Sequence, residues 1–217
     1  MDGIIEIKRK TLREDGRACL DIEVSNGRQS ERVRLCILCE LLDGMDIVKG
    51  EISGEQMGEL EFLSEVSAAY GSACASFAFA PGSLRALWLK LVQKKGFSRD
   101  AADRAIELVR ERGFVDEEQI ALRRAELCVG KKWGRTRIMM QLRRDGFEDG
   151  ALSAVRDYLD QDVDFVSNCA ALVLKKYGGI PDDRRAREKI YASMSGMGYM
   201  GEQIKRAMRY IEEFSQP

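Results

Sequence analysis

The spacing of apolar residues changes period once along the chain. Over the first 50 residues apolar and polar positions alternate, the signature of half-buried strands. Ile5 and Ile7 alternate with polar neighbours. Leu20, Ile22 and Val24 do the same in ACLDIEV, before the turn residues Ser25-Asn26-Gly27. Val33, Leu35, Ile37, Cys39 and Leu41 alternate in RVRLCILCEL, although CELL just before Asp43-Gly44 also reads as a short helix. Three short strands bury little by themselves, so they predict a small β-rich module docked on the rest of the chain.

From Ser53 the period is helical. Met57, Leu60, Leu63 and Val66 share one face, Gly71 is a candidate interruption, and Pro81-Gly82 is a break. Ser83 caps a helix bearing Leu84, Leu87, Trp88 and Leu91. Ser98 caps one bearing Ala102, Ala105, Ile106 and Val109, and Asp116 caps the next. Gly-aromatic pairs then recur about every 50 residues, in Lys95-Gly96-Phe97, Asp145-Gly146-Phe147 and Met197-Gly198-Tyr199. A second match, Lys-Lys-Trp133-Gly134 with Lys-Lys-Tyr177-Gly178, lies 44 residues apart. Glycine at such a place takes the left-handed backbone that ends a helix, and the aromatic folds back on the last turn. The expected fold is mainly α: three tandem three-helix units forming an elongated curved strip after a small N-terminal β module. The segments are 1–52, 53–113, 114–160 and 161–217. Such a strip offers a long surface rather than a deep pocket, which favours a large partner.

Composition narrows the chemistry. The chain has 217 residues, is 45% hydrophobic and contains no histidine. Ser-His-Asp and Cys-His catalysis and His-ligated metals are therefore excluded. No phosphate-loop, dinucleotide-fold, nucleophile-elbow or metalloprotease motif occurs. Acidic pairs at Asp116-Glu117-Glu118 and Asp182-Asp183 sit at helix starts, where they offset the macrodipole. The six cysteines are scattered in apolar company and read as small buried hydrophobes. Cys36 and Cys39 form a CxxC without the second pair that zinc needs, and Cys36, Cys39 and Cys128 lack a visible base. No apolar run reaches the length of a membrane span and the start shows no export signal, so a cytoplasmic protein without membrane contact is expected. No cofactor, metal or small-molecule substrate is expected.

The net charge of −1 hides an asymmetry. Residues 1–81 hold 9 basic and 15 acidic side chains, residues 82–147 hold 16 and 9, and residues 148–217 hold 10 and 12. The basic middle is the candidate binding surface. Its members are Lys131, Lys132, Arg135 and Arg137 around Trp133-Gly134, then Arg143 and Arg144, with Arg123, Lys94 and Lys95. The first four are expected to face solvent, with Ile138, Met139 and Leu142 as the buried face of their helix. Arg124 stands in an apolar arc with Ile120, Leu127 and Cys128 and is expected to form an internal ion pair. Cations beside an aromatic suit a phosphate backbone or an acidic protein surface. Trp133 itself fits a core position better than a base-stacking platform.

The segment GFVDEEQIALRRAELCVGKKWGRTRIMMQLRRDGF resembles the central signature of the RecX family of bacterial recombination regulators. The matching positions are Gly113, Phe114, Val115, Asp116, Glu117, Trp133, Gly134, Arg137, Ile138, Leu142, Gly146 and Phe147. Tyr177-Gly178, Gly198-Tyr199 and Ile204 extend the likeness, which covers about residues 82–211. Arg135 stands where the family commonly has proline, and Gln141 where it usually has glutamate. The resemblance implies a non-enzymatic regulator that binds the RecA–DNA filament and modulates, most often inhibits, its ATPase and strand exchange in recombination and DNA repair. The alternative is a helical protein that binds single- or double-stranded DNA independently of RecA.

Overall fold

The computed structural model describes residues 4–26 and 29–214. It is mainly helical, with a small antiparallel sheet at its N-terminal end. Strands β1 (Ile4–Leu12), β2 (Arg17–Ser25), β3 (Ser30–Leu38) and β4 (Gly50–Ile52) lie in the order β3-β2-β1-β4. Strand β4 is an addition to the three expected. Three residues with one apolar position give no alternation to read, and its place is set by pairing Ile5 with Ile52. Gly27 of the expected turn lies outside the described residues. Strand β3 ends at Leu38, and Cys39–Leu42 is a short 3-10 helix, so the helical reading of CELL holds.

One sheet face carries Ile7, Ala18, Leu20, Ile22, Leu35 and Ile37, all buried. The other carries charges opposed across the strands. Asp21 sits opposite Arg34 with paired contacts of 2.6 and 3.2 Å, and Lys8 bridges Glu6 and Glu23 at 2.5 and 3.1 Å. Cys19 and Cys36 face each other on β2 and β3 and are joined as a disulfide. This corrects the reading of all six cysteines as buried hydrophobes. The partner of Cys36 comes from strand register, not from the CxxC spacing, and Cys39 stays a free thiol.

Helix α1 (Gly54–Phe79) starts at a capping box: Ser53 accepts from Gln56 N–H and the Gln56 side chain accepts from Ser53 N–H. It runs through Gly71 without a break, where the Arg17 guanidinium occupies the space a Cβ would take. Its first turns place Met57 and Leu60 in the core of the sheet, with Leu63 packed against it. The sheet is thus closed by the helix, and α1 also packs on α3 (Arg99–Glu111). Backbone contacts divide the chain into two compact units, residues 1–81 with 87–115, and residues 82–86 with 116–217. Helix α2 (Leu84–Lys95) starts in the second and continues in the first.

The second unit holds α4 (Glu117–Gly130), α5 (Arg135–Asp145), α6 (Asp149–Gln161), α7 (Phe165–Tyr177), α8 (Arg184–Gly196) and α9 (Gly201–Phe214). Helix α4 packs on α6 and α7 on α9, as α1 does on α3. One continuous core runs through it, from Ala121, Ala125 and Cys128 through Ile138, Leu142, Val155 and Leu159 to Ile204 and Ile211. Gly96, Gly146 and Gly198 have φ of 77°, 84° and 90°. The aromatic after each donates its N–H back into the helix just ended, Phe97 to Leu91, Phe147 to Leu142 and Tyr199 to Met194. The helix ends expected from the repeat are present.

Candidate partner-binding surface

The start of α5 does not present its cations freely. Arg135 makes a bidentate pair with Asp160 on α6, at 2.6 and 2.8 Å. That hydrogen-bonded charge holds the Asp160 carboxyl below its ordinary range. Lys132 hydrogen-bonds Asn168 of α7 through its ammonium. The Arg137 guanidinium lies 4.1 Å from the centre of the Trp133 ring and donates to Met197 Sδ at 3.1 Å. All three are half-buried, which corrects the expectation of solvent-facing side chains. Their partners lie 25 to 60 residues away in sequence, beyond any local pattern. Lys131 is the exposed member, 5.9 Å above the Trp133 ring. Trp133 is half-buried and packs against the core of the unit, as a structural residue does.

Gly134 explains this crowding. Its N–H donates to Met197 C=O at 2.8 Å, and Thr136 N–H donates to Gly198 C=O at 3.1 Å. The Tyr199 hydroxyl donates to Lys132 C=O at 2.8 Å. A Cβ on Gly134 would strike the backbone of Gly198 and Tyr199. The loop before α5 is therefore seated, backbone on backbone, on the loop between α8 and α9. Gly178 does a different job. It ends α7 at φ 76° with open space around it, whereas Gly134 has φ −77° and Lys132 holds the positive φ of 58°. The KKWG and KKYG matches are alike in sequence and unlike in structure, so they do not support a repeat.

The other end of α5 leaves its cations exposed. Arg143 and Arg144 are exposed and carry no ion pair among the described residues. Arg143 and Arg85 line an open cleft of about 470 Å³ with Gly146, Phe147, Glu148, Asp149 and Leu152. Helix α4 exposes Arg123 and Leu127, four residues apart along one line, and Lys131 just past its end is exposed as well. Its buried face is Ala121, Ala125 and Cys128, so Leu127 lies outside the apolar arc expected for it. Arg124 pairs with Asp145 of the neighbouring α5 at 3.6 Å, but near the surface and not inside. Leu127 and Met140 are 62% and 57% exposed, two large apolar side chains among cations. Lys94 and Lys95 are exposed at the end of α2, in the other unit. Arg85, Leu127 and Met140 were missed in sequence; the four-residue spacing of Leu127 from Arg123 and Lys131 was the available signal.

Among the described residues no three Cys, Asp or Glu side chains gather as a metal site, and no helix is long and apolar enough to cross a membrane. Burial raises the thiols of Cys128 and Cys169, the latter to about 11, so neither is a ready thiolate at neutral pH.

No family model matches the chain. In sequence it is 28% identical over 109 residues to regulatory protein RecX of Halorhodospira halophila, across 50% of this chain and 66% of that protein. It is 26% identical over 117 residues to regulatory protein RecX of Stenotrophomonas maltophilia strain K279a, across 54% of this chain and 71% of that protein. A crystal structure of regulatory protein RecX superposes with a TM-score of 0.69, covering 93% of this chain and 98% of that one at 16% identity. The chain is thus similar in sequence and in fold to proteins named regulatory protein RecX. RecX from Lactobacillus salivarius shares the fold over 69% of this chain and 97% of its own, with a TM-score of 0.59 and 15% identity. The Gly-aromatic helix ends and the seat of Gly134 thus occur within a RecX-like fold.

Proposed function

We propose that the chain binds the RecA–DNA filament and restrains its ATP hydrolysis and strand exchange, in recombination and DNA repair. The likeness to proteins named regulatory protein RecX carries the reading. The exposed cations supply a contact surface for it: Arg123 on α4, Lys131 just past its end, and Arg143 and Arg144 on α5. Leu127 and Met140 stand exposed on the same two helices. Exposed apolar side chains on helices that also carry cations suit a protein surface better than a phosphate backbone. Lys132, Arg135 and Arg137 act mainly by holding this surface in place. The three helix triplets act as repeats of one architectural unit, and the protein works in the cytoplasm without a cofactor.

The test is RecA ATPase on single-stranded DNA with the purified chain added. Hydrolysis should fall as the chain approaches the RecA concentration. Leu127→Ser with Met140→Ser should weaken that inhibition by about tenfold, as expected for exposed apolar anchors at an interface. An unchanged ATPase rate would sink the reading. Binding to DNA with equal affinity in the absence of RecA would favour the independent DNA-binding alternative.

A further inference from the structure

The same joint occurs twice in the second unit. At Met197-Gly198-Tyr199, the start of α5 is seated through Gly134 N–H and Thr136 N–H on the carbonyls of Met197 and Gly198. At Asp145-Gly146-Phe147, the start of α2 is seated through the Ser83 hydroxyl, which donates to Asp145 C=O at 2.5 Å and accepts from Ala86 N–H at 3.1 Å. In each case the end of a middle helix receives the first turn of the preceding middle helix. The seated residue at the cap is small, Gly134 or Ser83, and buried. A Cβ on the receiving glycine would touch the incoming helix, Arg137 at Gly198 and Arg85, 3.0 Å away, at Gly146.

The third Gly-aromatic end, Lys95-Gly96-Phe97, has the same left-handed glycine at φ 77°. Around Gly96 there is open space, and Lys94, Lys95, Gly96 and Arg99 are exposed. We infer that Lys95-Gly96-Phe97 is a docking seat for the first turn of a helix on a partner protein. That helix would begin with a small residue such as Ser, Thr or Gly, whose hydroxyl or N–H reaches the carbonyls of Lys95 and Gly96. It would carry Asp or Glu in its first turn, facing Lys94, Lys95 and Arg99, the carboxylates also being favoured there by the helix dipole. At the filled joint the signs are reversed, with Arg85 of the incoming helix meeting the end of α5 near Glu148 and Asp149, so opposite charges meet there too. The start of the corresponding middle helix in a second copy, at α8, fits poorly: it is capped by Asp183, a carboxylate that would face carbonyl oxygens, and continues with Arg184 and Arg185 against the seat's own cations.

The inference rests on the reading of the chain as a RecA regulator, because the probe is RecA assembled on single-stranded DNA. Gly96→Asn keeps a residue that tolerates the left-handed backbone while filling the seat. Gly178→Asn is its control, with φ 76° and open space elsewhere. Circular dichroism and melting should be alike for the two. Filament affinity should fall by about tenfold for Gly96→Asn and stay within about twofold of wild type for Gly178→Asn. Lys94→Glu with Lys95→Glu, which leaves the glycine intact, should weaken binding as well and decides the matter if Gly96→Asn unfolds. Binding by the wild type with no loss in either seat variant overturns the seat alone. Loss in the lysine variant with none in a folded Gly96→Asn also overturns it, leaving the lysines as unspecific charge. A wild type that does not bind the filament overturns the seat together with the regulator reading.

Discussion

The two ends of α5 carry similar charge and differ in what that charge does. At its start Arg135 and Arg137 are held by Asp160, Trp133 and Met197. Eight residues on, about 12 Å along the axis, Arg143 and Arg144 stand free of ion pairs among the described residues. A helix start seated on another loop has neighbours at hand for its cations; cations that point to solvent near a helix end have the dipole and water. A cationic run in a sequence is therefore not one surface. Its members divide by which of them the fold has already partnered.

The largest effect that would separate the two ends is on stability. Gly134→Ala places a methyl into the backbone of Gly198 and Tyr199, which cannot yield as a flexible side chain would. It should cost about 3 kcal/mol or more, the upper end for overpacking. Gly178→Ala, strained only by its positive φ, should cost about 1–2 kcal/mol. Urea unfolding of both variants checks the order. Equal losses would mean that the loop before α5 is not rigidly seated.

The next effect is on binding and falls at the other end. Arg143→Glu with Arg144→Glu should lower filament affinity by about tenfold or more, with a changed salt dependence, because contacts of free cations add up. The cost to the helix is small, about 0.3–1 kcal/mol for each reversed charge near its C-terminus. Salt-titrated pull-down on RecA filaments measures the first and melting the second. Wild-type affinity in this variant would move the contact away from α5 altogether.

The helical period from Ser53, the caps at Ser83, Ser98 and Asp116 and the Gly-aromatic ends were legible because each depends on residues within one turn. So was the buried face of α5 at Ile138, Met139 and Leu142. The features that were not legible depend on pairs distant in sequence. Cys19 finds Cys36 through strand register, Arg135 finds Asp160 through the packing of α5 near α6, and Gly134 finds Gly198 across 64 residues. The free cations were in the candidate set, but nothing local told Arg143 from Arg135. Leu127 reads as core because it shares an apolar arc with Ile120 and Cys128; the face that packs is instead that of Ala121, Ala125 and Cys128, and Leu127 faces out.

The smallest effect is the most diagnostic of the tied end. In the folded chain Arg135 holds the Asp160 carboxyl below its ordinary value of 3.8, chiefly through the hydrogen-bonded pair. A carboxyl with a depressed folded value contributes stability above its unfolded value and loses it as pH falls through the folded one. The contribution should therefore be whole at pH 6, begin to fall below about pH 4.5, and be gone once Asp160 is protonated in both states. Half of the Asp160 side chain is in solvent, so the pair is worth roughly 1 kcal/mol or less. Asp160→Asn should lower the melting temperature slightly at pH 6 and converge on the wild type in acid. Arg135→Ala should show the same convergence, since without the guanidinium the carboxyl has no depressed value to lose. Arg143→Ala should keep the acid limb that comes from the Arg135–Asp160 pair, because that pair is intact in it. Parallel acid limbs for wild type and Asp160→Asn would show that Arg135 is as free as Arg143, and the distinction between the two ends of α5 would fall.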